Sequence, residues 1–126
     1  MTESSVFHGT KLVTPRDSYA FFSEYFDFGS RETLGRFTVF EIDFLDSNFQ
    51  GSATMFEDVF AADTWYAGMT DAALERDISL QYCLPSATDM LQSLTLPAVV
   101  QARASADYVS EIDNAYQAIC GKETYA

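Results

Sequence analysis

The residues of this chain best equipped for chemistry are two aspartates, Asp43 and Asp107, each lying at or just past the end of an apolar run. Asp43 stands in Phe37 to Asp46, FTVFEIDFLD, a stretch of β-branched and aromatic residues that also delivers Asp46 at its far end. Asp107 follows Ala98 to Arg103 in the segment Arg103-Ala104-Ser105-Ala106-Asp107-Tyr108. Two carboxylates on one rim suit retaining glycoside cleavage: one attacks the anomeric carbon and the other protonates the leaving oxygen, with carboxyl groups ~5–5.5 Å apart. Each aspartate also has a purely structural use. Asp43 could end a strand or cap a turn, and Asp107, just before Tyr108, could cap the last helix.

Positioning these groups requires strands that all point their carboxyl ends the same way. The run Phe37–Leu45, bounded by Gly35-Arg36 and Ser47-Asn48, reads as a strand buried on both faces, the kind found in parallel sheets. Ile78–Leu84, closed by Pro85, and Ala98–Ala102, opened by Pro97, read as two more buried strands. Helical signals separate them. Pro15–Phe28 carries Pro15 at its entry, Asp17 or Ser18 as N-cap, then Tyr19, Phe21, Phe22, Tyr25 and Phe26, and Gly29 as a stop. Phe56–Arg76 repeats apolar groups at helical spacing and is expected to bend or pack loosely near Gly68. Ser86–Leu94 can cap and form two turns, and Tyr108–Ile119 places Val109, Ile112, Tyr116 and Ile119 on one face before Gly121.

Helices alternating with strands predict βαβ crossovers with every strand parallel. Three apolar strands alone would leave two long edges and part of each face exposed. The expected fold is therefore α/β, a partial (β/α)8 TIM-type barrel of about three parallel strands with intervening helices. Residues 1–126 read as a single domain, about half of the ~250 residues that a whole barrel takes, and so as a fragment of one. In such folds the loops after the strands' carboxyl ends build the site, which puts Asp43 and the Arg103, Ser105, Asp107 group on a common rim.

The quoted strand ends resemble a known family. Phe40-Glu41-Ile42-Asp43, then Gln81-Tyr82-Cys83-Leu84-Pro85, then Arg103-Ala104-Ser105-Ala106-Asp107 look like the fourth, fifth and sixth strands of the α-galactosidase and raffinose synthase clan of glycoside hydrolases. The resemblance spans roughly Phe37 to Tyr108 and rests on the order and spacing of the motifs together. It implies Asp43 as the nucleophile, Asp107 as the general acid/base, and Glu41, Cys83 and Arg103 as residues of the sugar pocket. Where the clan usually has a lysine two residues before its nucleophile, this chain has Glu41, which implies an altered sugar preference. The implied activity is hydrolysis or transfer at an α-linked sugar with retention. The alternative is a non-catalytic interaction domain whose strand edges are covered by a second copy or by a chain that completes the barrel.

Composition narrows the partners. Nineteen acidic against seven basic residues give a net charge of −12, which repels nucleic acid and anionic membrane surfaces, so neither is expected as a partner. The sequence as it stands shows no signal peptide or spanning segment, and a cytoplasmic protein is expected. Cys83 and Cys120 form neither a CxxC pair nor a disulfide framework, and Cys83 is expected to be reduced. Glu41, Asp43, Asp46 and Asp63 match no metal-binding loop and read as a solvated acidic face, so no metal or other cofactor is expected. His8, the single histidine, lies in a polar stretch, and Trp65 falls at an apolar helical position that suits the core better than a sugar-stacking platform.

Overall fold

The structure, a computed structural model, describes residues 2–4, 11–43, 45, 49 and 52–103. In chain order the elements are β1 (Thr2–Ser4), β2 (Lys11–Val13), a 3-10 turn (Pro15–Asp17), α1 (Ser18–Glu32) and β3 (Val39–Ile42). Then come α2 (Ala53–Glu57), α3 (Ala61–Leu74), β4 (Ser79–Cys83), α4 (Ala87–Ser93) and β5 (Val99–Arg103). The expected final helix, Tyr108–Ile119, lies outside the described residues.

The protein is α/β, built on a three-stranded parallel sheet in the order β3-β4-β5. Each connection contains a helix, as parallel neighbours require. The expectation that all strands are parallel fails at one place: β1 pairs antiparallel with β2 in a separate two-stranded sheet. Strands of three residues are too short to carry a periodicity signal, which is why the sequence did not announce them.

The helices α1 and α3 share one face of the parallel sheet. Phe22, Tyr25 and Phe26 of α1 pack their rings on Phe40 of β3, and Tyr66 of α3 stacks on Tyr82 of β4 with ring centroids 5.4 Å apart. The Tyr66 hydroxyl donates to Asp89 Oδ1 at 2.6 Å, tying α3 to α4. Between these layers lies the core, with Phe26, Tyr66, Met69, Leu80 and Tyr82 fully buried. Trp65 belongs to it as expected, 2% exposed, with its indole N–H donating to the Val13 carbonyl at 3.1 Å and so fastening β2 to α3.

Two glycines act differently from their sequence reading. The α1 helix runs straight through Gly29, where a Cβ would come within 2.9 Å of the Phe37 ring; the glycine lets the returning chain pack on the helix. The helix ends later, at Thr33, where Leu34 N–H reaches Arg31 O (3.3 Å) and Gly35 N–H reaches Ser30 O (2.8 Å), the paired bonds of a Schellman cap. At Gly68 the expected bend or loose packing is corrected to close packing. A Cβ there would overlap Ser18 Oγ and lie 2.7 Å from the Tyr19 backbone nitrogen, so α3 and the start of α1 cross in near contact. The single helix expected over Phe56–Arg76 is two, because Asp58 takes extended backbone and its Oδ1 accepts from Phe60 N–H at 2.9 Å, a local bond that competes with helix continuation. Ser86 caps α4 as expected, in a reciprocal capping box with Asp89.

Candidate functional site

Alternation along the strands decides what faces away from the helices. Phe40, Tyr82 and Ala102 point toward them, so Glu41 with Asp43, Gln81 with Cys83, and Gln101 with Arg103 lie on the opposite face. The strands are thus not buried on both faces as expected. Val39 and Glu41 are exposed while Phe40 and Ile42 are only partly covered, and beyond Val39 the far face carries Glu41, Ser79, Gln81, Gln101 and Arg103.

Register turns that alternation into two polar rows. Glu41 pairs with Gln81 and Gln81 with Gln101, giving one row across the three strands. One step toward the carboxyl ends, Cys83 pairs with Arg103, and continuing the β3–β4 register brings Asp43 beside Cys83. A bulge between Leu80 and Gln81 in the β4–β5 ladder sets this alignment, because it shifts β5 by one residue and puts Gln101 and Arg103 opposite Gln81 and Cys83.

The second row is a contact cluster. Arg103 Nη2 donates to Cys83 Sγ at 2.7 Å, and the β3–β4 register sets the Asp43 carboxylate on the other side of Cys83. Cys83 is a free thiol, 2% exposed, whereas Asp43 is exposed and Arg103 partly so. Burial pushes the thiol pKa up to about 12, the neighbouring Asp43 carboxylate adds to the rise, and Arg103 opposes it. The sulfur therefore keeps its proton at neutral pH and is no nucleophile there. Immediately after it, Leu84 holds φ at +49°, a left-handed conformation that costs a leucine roughly 1–3 kcal/mol and that turns the chain sharply at the rim.

Of the residues singled out in the sequence, Asp43, Cys83 and Arg103 come together and Glu41 lies one row behind them. Asp107, Ser105, Asp46, His8 and Cys120 lie outside the described residues. Gln81 and Gln101 were passed over as candidates, although their period-two spacing with Cys83 and Arg103 was a usable signal. Two surface clefts of about 260 and 270 Å³ lie elsewhere, one along Ser93–Ala102 and one around Thr14–Arg16 and Thr64. Among the described residues no group of three His, Cys, Asp or Glu side chains is placed to hold a metal ion, and no helix is long and apolar enough to cross a membrane.

Fold and site together define an α/β chain with a carboxylate, a thiol and a guanidinium at the carboxyl ends of three adjacent parallel strands. Compared with protein families, curated proteins and solved structures, the chain matches none.

Proposed function

We propose that the chain is the central part of a (β/α)8-barrel glycoside hydrolase that cleaves α-linked sugars with retention, with Asp43 as nucleophile and Asp107 as general acid/base. The observation that carries this reading is the row Asp43–Cys83–Arg103 at the carboxyl end of the parallel sheet, on the face opposite α1 and α3. In a barrel that face lines the interior, and the strand ends open into the substrate site. The polar row behind it, Glu41–Gln81–Gln101, supplies hydrogen-bonding groups of the kind that hold sugar hydroxyls. Glu41 accepts where the resembled clan donates, so the preferred sugar differs from galactose. Helices on one face and polar side chains on the other also favour closure of the sheet by further strands, from the same polypeptide or from another.

The test compares Asp43→Asn and Asp107→Asn in the full-length protein on an activated aryl α-glycoside and on a disaccharide. Asp43→Asn is expected to abolish both reactions, since an amide forms no glycosyl ester. Asp107→Asn should spare the aryl substrate, whose leaving group needs little protonation, and lose the disaccharide. Equal rates for Asp43→Asn and the parent remove Asp43 as nucleophile, and with it the enzyme reading. The interaction-domain reading would then stand, favoured by the exposed aromatic face of α1 at Phe21, Tyr25 and Phe28.

A further inference from the structure

The sulfur of Cys83 sits where a packing cysteine has no reason to be. A buried cysteine that merely fills space is surrounded by apolar groups, but this one accepts a hydrogen bond from a guanidinium on one strand and has a carboxylate beside it on the other. The arrangement has a direction. Arg103 can only donate, so the sulfur accepts from it; an ionised carboxylate can only accept, so the thiol proton points at Asp43. Among the described residues, the charged groups facing Cys83 are Asp43 from the β3 side and Arg103 from β5, with Glu41 one row further back.

We propose that Cys83 is a positioning residue: its thiol donates to the Asp43 carboxylate while Arg103 holds the sulfur, so that the carboxylate is fixed in orientation. The inference rests on the reading of Asp43 as nucleophile for its purpose, but its geometry can be tested without any sugar. The thiol bridges a cation and an anion in a way that a water molecule or a serine could imitate and an alanine could not. A fixed carboxylate attacks one carbon from one direction, which is what a retaining displacement needs. Holding the thiol protonated is part of the device, since a thiolate beside Asp43 would repel the carboxylate that it is meant to orient.

The experiment is the pH profile of Cys83 alkylation by iodoacetamide, followed by mass spectrometry in the full chain carrying Cys120→Ser. In that background Cys83 should label about 1000-fold more slowly at pH 8 than an ordinary exposed thiol, given a pKa of about 12 against the usual 9.0. Asp43→Asn removes the negative charge, leaving only an amide oxygen as acceptor, and should move the midpoint of the profile to lower pH. Arg103→Gln removes the opposing cation and should move it to higher pH. Shifts of opposite sign place the thiol between the two charges, because a substitution that only loosens packing would move both midpoints the same way. Midpoints that move together, or not at all, overturn the proposal. If the sugar-cleaving reading also holds, Cys83→Ala lowers kcat more than it changes KM and Cys83→Ser recovers most of the loss. If no sugar is cleaved while the midpoints separate as stated, the bridge stands and the enzyme reading falls.

Discussion

Gly68→Ala is expected to destabilise the protein, against the usual effect of replacing a glycine inside a helix. Gly68 lies in the middle of α3, where alanine should gain about 1 kcal/mol in helix propensity. The added Cβ, however, overlaps Ser18 Oγ and lies 2.7 Å from the Tyr19 backbone nitrogen, and Ser18 itself is 1% exposed. Neither neighbour can swing aside: one is a buried side chain and the other is helix backbone. The helices must separate, at a cost near the upper end of the 1–3 kcal/mol seen for overpacked cores, roughly 3 kcal/mol. The net loss is then about 2 kcal/mol, which in a chain of 126 residues lowers Tm by roughly 8 °C. Thermal unfolding followed by circular dichroism measures it. Gly29→Ala is the control, because its obstacle is the ring of Phe37, a side chain in a connecting segment that can rotate, and its net effect should fall within about 1 kcal/mol of zero. A Gly68→Ala protein that melts higher than the parent would mean that α1 and α3 do not cross in contact, and the packing account would be wrong.

Two tyrosines stacked on each other should respond oppositely to loss of their hydroxyls. Tyr66→Phe removes a donor from the buried Asp89 carboxylate and should cost about 2 kcal/mol, whereas Tyr82→Phe removes a buried hydroxyl that has no partner among the described residues and should gain about 1 kcal/mol, both read by urea unfolding. Leu34→Gly should stabilise by roughly 1 kcal/mol in the same assay, since Leu34 is 88% exposed and holds φ at +54° in the cap that ends α1. The Arg76 guanidinium, 2.8 Å from Asp27, holds that carboxyl below its ordinary value of 3.8. Its contribution is therefore present above pH 3.8 and is lost as the pH falls through the lowered value, so Asp27→Asn should lower stability by the same small amount at pH 7 and at pH 9 and flatten its fall on the acid side.

The parallel sheet was legible because its strands are short apolar runs separated by helix-length segments, and the strand order followed from that alternation. What faces the strands was not legible from apolar content alone. Reading Phe37–Leu45 as buried on both sides overlooked Glu41, Gln81 and Gln101, whose regular spacing marks a second face of different character. Glycine was the other source of error. Gly29 and Gly68 looked like breaks because glycine weakens an isolated helix, but both are places where another part of the chain comes too close for a Cβ, and no local pattern reveals a contact with Ser18 or Phe37. The capping box at Ser86 and Asp89, by contrast, is wholly local, and it formed where the sequence put it. In the site, Asp43, Cys83 and Arg103 were named from order along the chain, while their hydrogen bonding depends on a bulge in the β4–β5 ladder that has no sequence signature.

The most direct test of the central claim, that Asp43 is the nucleophile of a strand-end sugar site, is to trap it. The full-length protein is incubated with a panel of activated α-glycosyl fluorosugars whose glycosyl esters hydrolyse slowly, and the product is digested and mapped by mass spectrometry. The account predicts one glycosyl adduct, on the peptide containing Asp43, that Asp43→Asn abolishes. An adduct on another carboxylate that persists in Asp43→Asn would contradict it.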